Sequence, residues 1–307
     1  MNRRDFVKLG GAALAAGAIM PGLSWAKGPA GIGMCDWNLG GSADPAVVSK
    51  AAKVGLQGIQ VSVATNPDNV PLRDPAVRKK YIELGKQYGI TYHSVAAGGI
   101  LNDIPLATEP QSAVYVIDAI EAAAALGAKN ILIAFFVNGD LRVRDAEGEF
   151  VKYDVNGFTE YKLDEKGVTR VIEVLRQIAP RAEAAGVALG LENTLSARQN
   201  LEIINAIGSP MAQVYYDLGN SWGNGYDVPS ELRLLGNDRL CEVHLKDWNT
   251  NLLGSNNPMV DMSACASALQ DIGYDKWLVL ETSGRKDKFD EDTRTNIAFA
   301  KKTFHMA

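Results

Sequence analysis

A chain of 307 residues, 47% hydrophobic and 22% charged, is too long for a disulfide mini-protein and too apolar for a disordered one. Its formal charge of −5, from 31 Lys and Arg against 36 Asp and Glu, disfavours a general nucleic-acid surface, so no nucleic-acid partner is expected. Three widely spaced cysteines, Cys35, Cys241 and Cys265, exclude CxxC zinc pairs and a disulfide ladder, and only three histidines, His93, His244 and His305, are available to hold metals.

The first residues read as an address. Asn2-Arg3-Arg4-Asp5-Phe6-Val7-Lys8 places a twin arginine ahead of Phe and Lys, and an Ala/Gly-rich apolar run follows from Leu9 to Leu23. That run is shorter than the ~20 apolar residues of a spanning helix. It ends in Ser24-Trp25-Ala26, with small residues at the −3 and −1 places of a cleavage site. Residues 1–26 are expected to be a twin-arginine signal peptide, with the export machinery as a partner and the periplasm as destination. No cysteine follows the run to carry a lipid, so no stable membrane anchor is expected. Cleavage would remove Arg3, Arg4, Lys8 and Asp5 and take the net charge from −5 to −7.

From there, short apolar runs alternate with helical patterns. Strands are expected over Ile32–Trp37, Gly58–Val63, Thr91–Val95, Asn130–Phe136, Val187–Glu192, Ala212–Asp217, Leu240–Lys246 and Trp277–Glu281. Helices are expected over Ala46–Val54, Pro75–Tyr88, Ala113–Leu126, Glu165–Ala185, Leu201–Ile207, Pro229–Leu235, Met262–Ile272 and Glu291–Phe304. Gly127, Gly186, Gly208 and Gly273 stand where helices end. Continuously apolar strands repeated eight times argue a parallel sheet buried on both faces. The size fits a single (β/α)8 TIM barrel over residues 27–307, and no GxGxxG opens the first helix to suggest a doubly wound sheet. The connection from Val137 to Leu163 is oversized. Its Leu141–Arg144, Asp145–Gly148 and Glu149–Tyr153 segments read as a hairpin, expected to form a lid or a subunit contact in a possible homo-oligomer.

Residues at the carboxyl ends of barrel strands face the site. Here four consecutive strands end in Glu192, Asp217, His244 and Glu281. A single carboxylate after a strand is usually a helix cap. Three carboxylates converging with an imidazole would repel one another without a cation between them. Three oxygen donors and one nitrogen suit a divalent metal ion, Mn²⁺ first, with Co²⁺, Mg²⁺ or Zn²⁺ as alternatives.

The segments GLENT, YYDLGN, EVHLKD and GYDKWLVLETS, in this order, resemble the sugar isomerase/epimerase superfamily with a xylose-isomerase-like barrel. Its members include ketose 3-epimerases, hydroxypyruvate isomerases and inosose dehydratases. The resemblance implies that Glu192, Asp217, His244 and Glu281 bind one divalent metal. It also implies that Glu192 and Glu281 transfer the α-proton of a sugar on opposite faces, through an enediolate that the metal stabilises. The ketose epimerases carry a histidine three residues after the metal-binding aspartate, where this chain has Asn220. They carry an arginine soon after the metal histidine, where it has Trp248-Asn249-Thr250-Asn251.

Further substrate-binding candidates are His93 at the third strand's end, Asn220, Lys246, Trp37, Trp248 and Arg285. His93 could equally be a core histidine, the tryptophans packing residues, Lys246 a partner of Asp247, and Arg285 solvated surface. The cysteines read as buried small hydrophobes. The expected activity is sugar isomerisation or epimerisation on a small-molecule substrate. Two alternatives stay open: a lyase or hydratase acting on a 3-keto sugar or keto-glycoside, and a non-catalytic carbohydrate-binding barrel. An apurinic endonuclease, which needs three zinc ions and many histidines, does not suit this chain.

Overall fold

Eight of the apolar runs form parallel strands. The computed structural model describes residues 27–155, 158–248 and 252–306. In it β1 (Gly31–Cys35), β2 (Gly58–Ser62), β3 (Thr91–Ala96), β4 (Asn130–Ala134), β5 (Ala188–Glu192), β6 (Ala212–Asp217), β7 (Leu240–Leu245) and β8 (Trp277–Leu280) close into a barrel. Neighbours follow chain order, and β8 returns to β1 with Gly31 opposite Trp277 and Met34 opposite Leu280. The expected TIM barrel is therefore present. Its strands read as unbroken apolar runs because side chains fill the interior and helices cover the outside.

The covering helices are α1 (Val47–Val54), α2 (Pro75–Tyr88), α3 (Ala113–Leu126), α4 (Glu165–Ala185), α5 (Ala197–Ile207), α6 (Val228–Arg239), α7 (Met262–Asp271) and α8 (Phe289–Thr303). Gly127 and Gly186 end α3 and α4 at φ 79° and 63°, a left-handed conformation that costs glycine little.

Three local departures from the sequence reading shape the mouth of the barrel. The first strand stops at Cys35 rather than Trp37, and Asp36–Leu39 forms a short helix. The buried Asp36 carboxylate explains the bend: it accepts from Ser62 N–H at 2.7 Å, Ser62 O–H at 2.6 Å and Ala43 N–H at 2.8 Å. A second short helix, Leu218–Gly223, starts directly from β6, with Asp217 as its cap. The sixth helix continues past the expected end at Leu235 but is broken at Gly236, where φ is 69°.

The long connection after β4 is ordered into a flap. Arg144 pairs with Phe150 around the Asp145–Gly148 turn, as read from the sequence. Beyond it, Lys152–Val155 pairs antiparallel with Phe158–Tyr161, a second ladder the sequence reading did not anticipate. The three cysteines are buried and unpaired. The signal-peptide reading falls on residues 1–26, outside the described residues. Among the described residues no helix is long and apolar enough to cross a membrane.

Candidate metal centre

Strand ends bring four side chains to one point. Glu192 closes β5, Asp217 closes β6, His244 is the penultimate residue of β7, and Glu281 directly follows β8. One ligand atom from each lies within 4.8 Å of the others. The imidazole Nδ1 of His244 is the common neighbour: it stands 3.1 Å from Glu192 Oε1, 3.8 Å from Asp217 Oδ2 and 4.0 Å from Glu281 Oε2.

The electrostatics are those of concentrated negative charge. Burial, then Glu281, pushes the Asp217 carboxyl well above the usual carboxylate range. Burial also opposes ionisation of Glu281, but the adjacent His244 and Lys246 hold its carboxyl below the ordinary value. Burial alone would lower the pKa of His244; Glu192 first, then Glu281 and Asp217, reverse that and push it up to about 9. One orphaned atom speaks for a cation. Asp217 Oδ2 is buried without a hydrogen-bond partner, while Oδ1 of the same carboxylate accepts from Asn220 N–H at 2.7 Å. A buried carboxylate oxygen without a hydrogen bond is costly, and its nearest cationic atoms, on His244 and Lys246, stand 3.8 Å away, so a closer positive ion would offset that cost. With its donor set of three carboxylates and one imidazole, the site fits a divalent metal ion.

The surroundings aim these donors. His244 Nε2 lies 3.1 Å from Gln60 Oε1 and 3.6 Å from Cys35 Sγ, and the Cys35 thiol donates to the same amide oxygen at 3.2 Å. An acceptor behind Nε2 places a ring proton there and turns Nδ1 toward the carboxylates. Lys246 Nζ reaches Glu281 Oε2 at 2.8 Å and stands 3.8 Å from Asp217 Oδ2. It belongs to the charge balance of the cluster, rather than pairing with Asp247 as its neighbour in sequence.

Above the cluster opens a cavity of about 850 Å³ lined by Glu192, Glu281, Lys246, Trp37, Asn220 and Trp248, among others. Trp37 presents its ring edge-on to His244, with centroids 6.4 Å apart. The flap supplies one wall through Arg142, Glu149, Phe150, Lys152 and Tyr161. It is latched shut. Arg142 forks onto Asp140 at 2.9 and 2.7 Å and donates to Asn224 Oδ1 at 2.6 Å, while its guanidinium lies 3.5 Å from the Phe150 ring centroid. The tyrosine hydroxyl of Tyr161 donates to the same Asn224 side chain at 3.2 Å.

Two candidates from the sequence are elsewhere. His93 is the third residue of β3 and the strand runs on to Ala96, so it sits at the barrel's base instead of its mouth. It is buried against Glu242 at 2.8 Å and stacked on Trp277, the first residue of β8, at 4.8 Å. A Cβ on Gly33 would fall 2.1 Å from its Nε2, which is why glycine faces it. Arg285 is also turned away: its Nε and Nη2 donate to Asp292 at 3.0 and 2.6 Å, making a loop clamp. Conversely, Gln60, Arg142, Asn224 and Tyr161 were not anticipated. An amide inside the apolar run Gly58-Ile59-Gln60-Val61 was the available signal for Gln60; Arg142 and Asn224 meet only through folding.

Over residues 48–303 the sequence matches the family described as the xylose isomerase-like TIM barrel. The chain belongs to that family. A 2-epi-5-epi-valiolone 7-phosphate 2-epimerase of Actinoplanes sp. is 26% identical over 220 residues, 70% of this chain and 72% of the relative. Among solved structures, D-psicose 3-epimerase of Clostridium cellulolyticum H10, in a structure with D-tagatose, superposes with a TM-score of 0.68. That alignment is 16% identical and covers 89% of this chain and 99% of the other. The IolI protein, solved with a bound zinc atom, superposes with a TM-score of 0.61 at 17% identity, over 89% and 96% of the two chains. These structural likenesses show a shared xylose isomerase-like barrel.

Proposed function

We propose that this member of the xylose isomerase-like family is a divalent-metal-dependent carbohydrate isomerase or epimerase. The observation that carries this reading is the convergence of Glu192, Asp217, His244 and Glu281 within 4.8 Å, with Glu192 and Glu281 lining the cavity. The curated epimerase relative, alike over most of both chains, supports it.

These four side chains would hold the metal, which when bound supplies Lewis acidity to a carbonyl and its neighbouring hydroxyl. The protein's own groups do the proton work. Glu192 and Glu281 come from β5 and β8, which do not adjoin, so their carboxylates approach a sugar carbon from different sides. One removes the proton beside the carbonyl and the other delivers one. Lys246, at 2.8 Å from Glu281, keeps that carboxylate ionised and oriented. His244, held from behind by Gln60, fixes the position of the cluster relative to both glutamates. The flap wall and Trp37 shield the reacting carbon from bulk water.

The test is turnover of free ketoses by metal-loaded protein in deuterated water. Inversion or carbonyl migration, with deuterium incorporated beside the carbonyl and no loss of mass, is the expected outcome. Loss of a leaving group with a new enone absorbance would instead assign elimination. The Glu192→Gln and Glu281→Gln variants should lose turnover far beyond any loss of stability.

The twin arginines and the Ser24–Ala26 cleavage pattern support export to the periplasm as the proposed location. Mass spectrometry of protein from an exporting host should then find an N-terminus at Lys27.

A further inference from the structure

We infer that the substrate is an uncharged sugar of two rings, a ketose carrying a glycosyl or similar ring substituent, whose second ring rests on Trp248. The inference rests on the carbohydrate reading above and names the substrate class of that same site.

Charge comes first. Among the described residues, three cations line the cavity: Arg142, Lys152 and Lys246. Arg142 is spent on Asp140 and Asn224, and Lys246 on Glu281. Lys152 remains, over the Tyr161 ring at 5.3 Å, and Glu149 on the same flap offsets it. TIM barrels commonly hold phosphate at the loops after the seventh and eighth strands. Here both loops are organised around buried carboxylates. Asp247 accepts the N–H groups of Trp248 at 2.7 Å and Met259 at 3.1 Å. Asp292 accepts the backbone N–H of Arg285 at 2.7 Å as well as its guanidinium. The backbone N–H groups of Trp248, Met259 and Arg285, which could otherwise receive a phosphate, are thus already bound to carboxylates.

Size and shape come second. A cavity of about 850 Å³ lies near the upper end of the usual range for small-molecule sites. The ring that reacts must reach Glu192 and Glu281 at the floor, which leaves the rim to be filled. At the rim Trp248 is 47% exposed, a large share for an indole. Its position is built in: a Cβ on Gly223 would fall 2.4 Å from the ring, so the indole lies against bare backbone. Trp248 and Gly223 both line the cavity. A fixed, half-exposed indole is a platform for the apolar C–H face of a sugar ring.

Calorimetry on the full-length mature, Mn²⁺-loaded protein decides it with three probes differing only at the ketose O6: D-fructose, D-fructose 6-phosphate and isomaltulose, which carries a glucosyl group there. Isomaltulose should bind about tenfold more tightly than fructose, and the phosphate no more tightly than fructose. Trp248→Ala should erase the difference between isomaltulose and fructose. Tightest binding of the phosphate, no preference for isomaltulose, or a preference that survives Trp248→Ala would overturn the inference. Binding in the expected order without turnover of any probe leaves the inference standing and counts against the isomerase reading. Turnover of the phosphate alone does the reverse.

Discussion

The Nε2 of His244 lies 3.1 Å from the Oε1 of Gln60, an amide from the far strand β2 that sets the orientation of the imidazole facing the three carboxylates. Replacing Gln60 by Met keeps the volume but removes the acceptor. The fold should survive, and Mn²⁺ affinity measured by calorimetry should drop about 10- to 100-fold. Unchanged affinity would mean the ring is held by packing alone.

The flap latch makes a separate prediction. Arg142 is nearly buried and makes charge-assisted bonds to Asp140 and a bond to Asn224. Removing it through Arg142→Ala should release the flap locally at a cost of roughly 1.5–3 kcal/mol. Hydrogen exchange over residues 141–163 should speed up by an order of magnitude or more, while the barrel strands keep their protection. Equal protection in both proteins would show that the flap is held by its aromatic contacts.

At the opposite end, the buried pair of His93 and Glu242 should be structural. Glu242 accepts from His93 Nδ1 at 2.8 Å, Asn130 Nδ2 at 2.9 Å and the Tyr215 hydroxyl at 2.7 Å. Truncation by Glu242→Ala leaves those donors unpaired, and denaturant unfolding should report a loss of about 3–5 kcal/mol. A His93 variant of normal stability but without turnover would contradict this placement.

Glu231 predicts a pH dependence. Its Oε1 accepts Ala197 N–H at 2.8 Å and its Oε2 the Tyr216 hydroxyl at 2.7 Å, and burial pushes its carboxyl up from 4.5 to about 7. A raised carboxyl favours the folded state when protonated. Its contribution is therefore full below about 4.5 and is lost as pH rises through about 7. Glu231→Gln removes that loss. Between pH 5 and pH 8 the variant should gain about 2–3 kcal/mol relative to the parent, followed by thermal unfolding at each pH. A constant difference would show that Glu231 ionises normally.

What could be read in advance follows from physical scale. Eight strands and their helices were legible because burial on both faces leaves continuous apolar runs and helix ends favour glycine. Glu192, Asp217, His244 and Glu281 stood out because each closes such a run. His93 was misplaced because it was read as closing its strand, whereas it is the third residue of β3 and lies three positions before Ala96. Asp36 and the helix it bends were hidden for a similar reason: the carboxylate's partners, Ser62 and Ala43, are set by tertiary contact. The latch of Arg142 on Asn224 joins residues 82 positions apart and leaves no local pattern.

Anomalous diffraction from a crystal loaded with Mn²⁺ addresses the metal centre directly. A single strong peak is predicted, about 2.0–2.4 Å from carboxylate oxygens of Glu192, Asp217 and Glu281 and from Nδ1 of His244. No peak there at full loading, or a peak bound by other residues, would contradict the metal centre and the chemistry built upon it.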